Sequence, residues 1–349
     1  MNVNEILFFG VFIFLIAGML LFDLGVFNKS SHVISYKEAI FWTFIWVGLS
    51  FAFFVLLKTH GDLIHGPTST ADVKELIIKY DHPLNVEGYT NVDAISAYRT
   101  NLSLEFLTGY LIEYSLSVDN VFVMILIFTA FGIEKRFYKR ILFWGIAGAI
   151  IMRFVFIFLS SALIQRFEWI LLVFGGLLVF TGVQMFRNRN KEERIDTAKH
   201  PVVKFTSKHF RVDANYIGQK FWIRKNGKWF MTPIFIVLLI IEFTDVIFAV
   251  DSVPAIFAIT KDPFIVFFSN IFAIIGLRSL FFLVSNIMAK FHYLKEGLSV
   301  LLTFIGVKML LHHWFESIGF TTSDSLLVVL GILLVSIAAS VAFPKKKYV

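Results

Sequence analysis

The chain has 349 residues, of which 57% are hydrophobic and 16% charged, and its mean hydropathy is +0.76. Water-soluble domains carry about 45–50% apolar and about 25% charged residues. This composition argues against soluble enzymes, secreted disulfide scaffolds, disordered proteins and nucleic-acid-binding modules. The net charge is +7 and there is no cysteine. The sequence therefore predicts an integral membrane protein without disulfides or thiolate metal sites.

Nine apolar stretches are long enough to cross a bilayer core of about 30 Å, which takes roughly 20 helical residues. They lie at 6–27, 39–57, 103–131, 141–163, 168–186, 231–259, 264–288, 294–313 and 325–343. Glu5, not a basic residue, precedes the first stretch, and no cleavage site follows it, so we expect an integral helix and not a signal peptide. The predicted fold class is all-α, a polytopic membrane helix bundle with about nine transmembrane helices.

The basic residues predict the orientation of this bundle. If the N-terminus lies outside, 23 of the 32 Lys and Arg residues fall in cytoplasmic segments and six fall outside. Cytoplasmic loops carry an excess of Lys and Arg. We therefore predict that the N-terminus lies outside and the C-terminus in the cytoplasm.

Two segments leave the predicted membrane. The outer one, 58–102, is mildly acidic, and we expect a solvated loop there; the alternative is that its polar residues collect cations. These residues are His60, Asp62, His65, Asp81 and His82. The cytoplasmic one, 187–230, is basic, and Asn226-Gly227 between apolar runs predicts a small β-hairpin.

An internal repeat relates spans three to five to spans six to eight. The sequence VDNV at 118–121 matches VDSV at 250–253, the residues 145–153 match 270–278, and FTGVQM at 180–185 matches FIGVKM at 304–309. A unit of three spans inverts when it is repeated in tandem. Inverted repeats are typical of secondary transporters, which bind substrate near the bilayer midplane. A duplicated scaffold without transport is the alternative.

Six carboxylates fall inside predicted spans, where each ionised group costs about 2.5–3.5 kcal/mol if unpaired. They are Asp23, Glu113, Asp119, Glu242, Asp245 and Asp251. Arg153 and Arg278, at matching repeat positions, compensate part of this charge. Each is either a structural ion-pair partner or an internal countercharge for an empty site.

The spacing of the acids leaves two arrangements open. Glu113 to Asp119 and Asp245 to Asp251 are both six residues apart, which is about 120° on a regular helix. Either the helix is interrupted, as Pro254 favours in span six, or each carboxylate serves a different position around a central path. Asp23 is either a ligand or a cap at the membrane interface.

The neighbouring neutral ligands are oxygen atoms. Asn120 and Ser252 follow Asp119 and Asp251 directly, and neither segment has a histidine. Carboxylate, amide, hydroxyl and carbonyl oxygens suit Mg²⁺, Mn²⁺ or Ca²⁺ and argue against Zn²⁺ or Cu⁺. This ligand set alone does not choose among these cations or exclude a proton or Na⁺ path.

The sequence resembles the TerC family of integral membrane proteins, which includes manganese exporters of the Alx type. The resemblance rests on FDLGVFN at 22–28, EYSLSVDNVF at 113–122, EFTD at 242–245 and FAVDSVPAI at 248–256. It implies a bacterial inner-membrane protein whose intramembrane acids support Mn²⁺ efflux. That role carries over to Glu113, Asp119, Asn120, Glu242, Asp245, Asp251, Ser252 and Asp23.

These observations lead to two hypotheses. The first is a transporter that exports Mn²⁺ or a related divalent cation, with no organic cofactor and with the metal ion and the bilayer as its partners. In this hypothesis Asp119 and Asp251, with Asn120 and Ser252, form the central ligand set, and Glu113, Glu242 and Asp245 complete the site or carry protons in exchange. The second is a membrane scaffold for tellurium-resistance or export proteins, with the basic 187–230 segment as the docking surface for protein partners. The chain lacks HExxH, histidine boxes and a nucleophile–base pair, so no enzyme is predicted.

The predicted organisation has five parts. Residues 1–102 hold two transmembrane helices and the outer loop, and 103–186 hold the first repeat. The cytoplasmic loop takes 187–230, the second repeat 231–313, and the last helix with a basic tail 314–349.

Overall fold

A computed structural model gives the structure of the protein. It describes residues 3–27, 35–167, 169–188, 201–213, 220–225, 227–287 and 293–343, without the side chains of 22–27, 286–287 and 316. The carboxylate of Asp23, a predicted site residue, lies outside this description.

The described residues form α-helices and one two-stranded sheet. The helices are α1 (Val3–Phe27), α2 (Tyr36–His60), α3 (Thr70–Tyr80), α4 (Asn91–Ala130), α5 (Lys135–Arg166), α6 (Trp169–Arg187), α7 (Pro201–His209), α8 (Pro233–Phe257), α9 (Pro263–Ile275), α10 (Leu277–Ile287), α11 (Leu294–Leu310), α12 (His312–Ser317) and α13 (Thr322–Ala342). The strands are β1 (Trp222–Lys225) and β2 (Lys228–Met231), which pair antiparallel where Asn226-Gly227 predicts a hairpin. We call the two ends of the bundle the α3 side and the hairpin side.

The helices are those of a polytopic membrane protein, so the predicted fold class is confirmed. Among the described residues, seven helices are long and apolar enough to cross a membrane, or eight if α9 and α10, which meet at a 43° bend, count as one span. The remaining predicted span corresponds to α11, which has 17 residues. At 1.5 Å per residue it is about 25 Å long, shorter than a typical bilayer core. The count of nine stays a prediction.

Local sequence signals explain where several helices begin. Ser35 and Glu38 form a capping box at α2, as do Ser69 and Asp72 at α3. Asp262 caps α9 through the backbone N–H of Phe264. Side-chain oxygens at these positions satisfy backbone N–H groups that have no partner within the helix.

The helix of span six is not interrupted, although Pro254 favours a break. Helix α8 continues to Phe257 with Pro254 inside it, and α4 is a single helix of 40 residues. The interruption is therefore not found, and side chains six residues apart on these continuous helices face directions about 120° apart. That each carboxylate serves a different position around a central path stays a prediction.

Helices α6 and α11 make a reciprocal close contact. A Cβ atom added at Gly182 would lie 2.8 Å from the backbone of Ser299 and Thr303, and one added at Gly306 would lie 2.8 Å from the backbone of Gly175 and Val179. The offset that relates Gly182 to Gly306 in the repeat also relates the contacted residues. Two halves related by a pseudo-two-fold axis would make this pattern.

Alanine at Gly182 or Gly306 is expected to destabilise the protein by about 1–3 kcal/mol, because the added methyl group forces two backbones apart. The measurement is the midpoint of thermal unfolding in detergent. Gly176→Ala on α6 is the matched control, since nothing lies within 4 Å of its added Cβ. Equal midpoints for Gly182→Ala and Gly176→Ala would contradict the close contact.

Candidate functional site

A buried guanidinium connects four helices near the middle of the bundle. Arg153 on α5 donates through Nη1 to Glu113 Oε1 on α4, at short range, to Ser252 Oγ on α8 (3.1 Å) and to Asn270 Oδ1 on α9 (3.0 Å). Its Nη2 lies 3.4 Å from Asp245 Oδ1 on α8. Asn270 also donates to Glu113 Oε2 at 3.3 Å. We call these five residues the central cluster.

The central cluster is shielded from solvent but incompletely satisfied. All five side chains are buried, and those of Glu113 and Arg153 have no exposed surface. Among the described residues, Asp245 Oδ2 and Arg153 Nε have no hydrogen-bond partner. Buried polar atoms are usually paired, and two carboxylates here face one guanidinium. The cluster therefore has an open acceptor and more negative than positive groups.

One face of α4 extends the cluster toward the hairpin side. Ser117 and Asn120 follow Glu113 by four and seven residues, so the three side chains share a face of the helix. Both Ser117 and Asn120 are buried, and Ser117 Oγ and Asn120 Nδ2 have no partner among the described residues. These oxygen-bearing groups add candidate ligands beside the carboxylates.

Glu242 lies on the hairpin side of the cluster, three residues before Asp245 on α8. Gly148 on α5 leaves space for the Glu242 carboxylate, because a Cβ added there would lie 2.1 Å from Glu242 Oε1. Asp245 lines an apolar cavity of about 10 Å³ with Met124 and Leu277. That volume holds about one water molecule, so the described state has no wide path at this point.

The other two candidate carboxylates on the described helices are Asp119 and Asp251. Asp251 is partly buried and accepts a hydrogen bond from Thr181 Oγ1 on α6 at 3.2 Å. Asp119 is also partly buried, and Arg278, near the bend between α9 and α10, is buried. The structure thus brings together Glu113, Asp245, Ser252 and Arg153, and directs Asp251 toward another helix. No three Asp, Glu or His side chains among the described residues converge as a ready metal site.

Two residues of this region were not predicted from the sequence as ligands. Asn270 is the repeat partner of Gly145, and Thr181 belongs to the third matching segment. The sequence signal that points to Asn270 is an amide side chain within an otherwise apolar span. Its contact with Glu113 depends on the packing of α9 against α4, which the sequence does not specify.

A second group of buried polar residues lies on the α3 side. His65 Nδ1 lies 2.9 Å from Glu5 Oε1 on α1, and His65 Nε2 lies 2.8 Å from Asp262 Oδ2 before α9. Burial lowers the pKa of His65, but the carboxylates of Asp262 and Glu5 outweigh burial and raise it to about 9. His65 is therefore an imidazolium held between two carboxylates at neutral pH.

His82 makes a parallel pair beside this one. Its Nδ1 lies 2.8 Å from Glu105 Oε1 on α4, which also accepts from Asn101 Nδ2 at 2.8 Å. Burial opposes the charge on His82, but Glu105 outweighs it and keeps the pKa above its ordinary value. We call Glu5, His65, His82, Glu105 and Asp262 the α3-side cluster. The expectation of a solvated loop at 58–102 is wrong for His65 and His82, which are buried against distant helices.

The architecture and the buried charges define an all-α polytopic integral membrane protein. The family described as "Integral membrane protein TerC family" matches residues 98–348. The chain belongs to the TerC family, which confirms the resemblance. The match includes every member of the central cluster.

Relatives along nearly the whole chain agree with this assignment. An uncharacterised membrane protein, STKORF319, of Myxococcus xanthus is 39% identical over 94% of this chain and 90% of its own length. A protein of Escherichia coli (strain K12), named Alx and proposed to be a membrane-bound redox modulator, is 38% identical over 96% of this chain and 94% of its own length. An uncharacterised membrane protein of Rickettsia bellii is 36% identical over 95% of this chain and 96% of its own. No solved structure matches.

Proposed function

We propose that the protein is a secondary transporter that moves Mn²⁺, or a related divalent cation, out of the cytoplasm through the central cluster. The observation that carries this proposal is the convergence of Glu113 from α4 and Asp245 from α8 on one buried guanidinium. Ionisable side chains inside a membrane cost free energy, and where they occur they typically mark ion pathways. The predicted repeat would place the two carboxylates on opposite halves, as in other secondary transporters.

Arg153 serves as an internal countercharge in this proposal. It occupies the space between the carboxylates when no metal ion is bound. Withdrawal of Arg153 would leave two carboxylates, whose charge matches a divalent cation, with Ser252 and Asn270 as neutral oxygen ligands. Hard oxygen ligands suit Mn²⁺, Mg²⁺ and Ca²⁺. The metal is cargo, and the mechanism requires no bond chemistry.

Asp251, Asp119 and Glu242 serve other positions along the path. Asp251 and Thr181 lie between α8 and α6, and Glu242 lies beside α5 on the hairpin side. In the proposed orientation the hairpin side is cytoplasmic, so Glu242 would meet the cation before Asp245. The α3 side would be extracytoplasmic, and the surrounding partner is the lipid bilayer.

The test is Mn²⁺ accumulation in cells that express the wild type or single variants. Glu113→Gln and Asp245→Asn are expected to reduce efflux at least tenfold, which corresponds to about 1.4 kcal/mol of lost binding or barrier stabilisation. Asp119→Asn and Asp251→Asn test the two acids outside the cluster. Glu75→Gln, on the exposed surface of α3, is the matched control. Wild-type efflux by Glu113→Gln would refute the assignment of the site.

A scaffold role is the second candidate, because described residues on the hairpin side combine basic side chains with exposed aromatic rings. Trp229 and Phe205 are both mostly exposed, next to Lys228 and Lys204. Removal of residues 221–230 separates the two functions. A scaffold would lose its partners, whereas Mn²⁺ flux in proteoliposomes would persist. Redox modulation by thiol exchange would require a partner's thiols, since this chain has no cysteine.

A further inference from the structure

The α3-side cluster contains groups that the central cluster does not use. Two histidines face three carboxylates, and all five side chains are more than nine-tenths buried. They come from α1, the segment after α2, the segment after α3, α4 and the segment before α9. Charged groups at this density are rarely buried without a role, because each loses its hydration.

The two histidines differ in how completely they are paired. Both ring nitrogens of His65 face carboxylates, and Tyr80 packs beside the ring at a centroid distance of 5.0 Å. His82 meets a carboxylate only at Nδ1; its Nε2 and Glu105 Oε2 have no partner among the described residues. The His82–Glu105 pair therefore keeps one ring nitrogen and one carboxylate oxygen open among the described residues, whereas both ring nitrogens of His65 are occupied.

The surroundings of this pair include other charged and titratable groups. Tyr80 and Tyr98 pack against the ring of His82, with Tyr98 Oη buried and unpartnered among the described residues. Asp262 and His65 act on His82 through space, with opposite effects. Lys308 of α11 interacts with Glu105 electrostatically. The sum of these effects raises the pKa of His82 above its ordinary value.

An open cavity on the α3 side reaches Asn101, which contacts this pair. The cavity has a volume of about 640 Å³, and Pro83, Asp93, Asn101 and Thr322 are among the residues that line it. Asn101 accepts a hydrogen bond from Thr322 Oγ1, on the same lining, at 3.3 Å, and it donates a hydrogen bond to Glu105 Oε1. Asn101 is therefore in contact with both the cavity and the Glu105 carboxylate.

A row of residues on α4 leads from this pair to the central cluster. Glu105, Gly109 and Glu113 are spaced four residues apart on one face, so the two carboxylates are about 12 Å apart along the helix. Gly109 leaves room for the hydroxyl of Ser269 on α9, whose Oγ lies 2.9 Å from an added Cβ. The next residue on α9, Asn270, contacts Glu113. The Ser269 hydroxyl therefore lies between the two clusters, beside Gly109 and the side chain of Ile256.

We infer that the His82–Glu105 pair is a proton-binding site, loaded through the cavity from the extracytoplasmic side, and that this proton is exchanged for the exported metal ion. The inference rests on the proposed function and adds its coupling ion. The proton enters past Asn101, binds at the pair and reaches the Arg153 network by way of the Ser269 hydroxyl, for which Gly109 leaves room. The metal ion leaves in the opposite direction.

The test is Mn²⁺ and proton flux in proteoliposomes that contain the full-length protein. A pH gradient is expected to drive Mn²⁺ against its own gradient in the wild type. In Glu105→Gln and His82→Gln, Mn²⁺ still moves down its gradient, but the ratio of flux with and without the pH gradient falls to one. His60→Gln and Glu75→Gln, both exposed, are the controls and keep the wild-type ratio.

The outcomes separate the two proposals. Mn²⁺ flux in the wild type that ignores the pH gradient overturns the inference and leaves the proposed function intact, as does wild-type coupling in Glu105→Gln. Absence of any Mn²⁺ flux in the wild type overturns both. The double variant Glu105→Gln/His82→Gln, which removes both charges together, covers the case in which a single variant does not fold.

A measurement without transport checks the site itself. Nitrogen-15 NMR of the protein labelled at its nine histidines follows each imidazole as pH changes. The signal that disappears in His82→Gln is expected to titrate above the ordinary histidine range and to shift in Glu105→Gln. A His82 signal that is unchanged by Glu105→Gln would contradict the shared proton.

Discussion

Arg153→Met is expected to destabilise the protein by about 3–5 kcal/mol, because removal of one partner from a buried ion pair leaves uncompensated charge. Arg153 makes all of the charge compensation for Glu113 and Asp245 that the described contacts show. Because the methionine side chain fills similar space, the loss of stability reports mainly the missing charge and not a change in side-chain volume. The measurement is thermal unfolding in detergent with chelator present.

The same variant distinguishes an internal countercharge from a structural ion pair. If the carboxylates bind metal when Arg153 is withdrawn, millimolar Mn²⁺ restores much of the lost stability, since a ligand of the native state stabilises it by mass action. The double variant Arg153→Met/Glu113→Gln should be more stable than Arg153→Met alone and respond less to Mn²⁺. Failure of Mn²⁺ to raise the unfolding midpoint of Arg153→Met would favour a purely structural role.

His65→Gln is expected to remove a large pH-dependent part of the stability. The pKa of His65 is about 9 in the folded protein against an ordinary value of 6.5. A raised pKa gives stability that is complete below about pH 6.5 and is lost as the pH rises through about 9. Each pKa unit corresponds to 1.36 kcal/mol, so the contribution at neutral pH is on the order of 2–3 kcal/mol.

Unfolding midpoints between pH 6 and pH 10 check this expectation. The wild type should lose stability toward pH 10, whereas His65→Gln should start lower and change less. His60→Gln is the control, because His60 is exposed and contacts only Thr59 in the described structure. Parallel pH profiles for the wild type and His65→Gln would show that the Glu5–His65–Asp262 contact contributes no charge-dependent stability.

The sequence was sufficient to identify the carboxylates inside the membrane spans, but not to predict which of them lie together in the folded protein. Glu113 and Asp245 are visible as charges inside apolar stretches, and Arg153 is visible as their nearest countercharge in the repeat. That Asp119 and Asp251 form one ligand set stays a prediction; the contact of Asp251 with Thr181 on another helix could not be read from the sequence. Asp245 and Asp251 are six residues apart on the continuous helix α8, so their side chains point about 120° apart and face different helices. Packing sets the rotation of α8 about its axis.

The α3-side cluster could not be found from the sequence. Glu5 lies 60 residues before His65, and Asp262 lies 197 residues after it. Polar residues in a segment of ordinary composition predict a solvated loop, and burial follows only when α1, α4 and α9 converge over it. Asn270 and Thr181 illustrate the same limit for neutral groups, because their roles depend on which helices are neighbours.

The close pairing of α6 and α11 has a consequence for the surrounding lipid. With 19 and 17 residues, these helices are about 28 Å and 25 Å long. Glycine contacts hold them side by side, so their short apolar lengths coincide on one flank of the molecule. A helix shorter than the hydrocarbon thickness thins the adjacent bilayer or is flanked by snorkelling side chains. The membrane beside this pair is therefore expected to be locally thin, and the protein to be more stable in bilayers with shorter acyl chains.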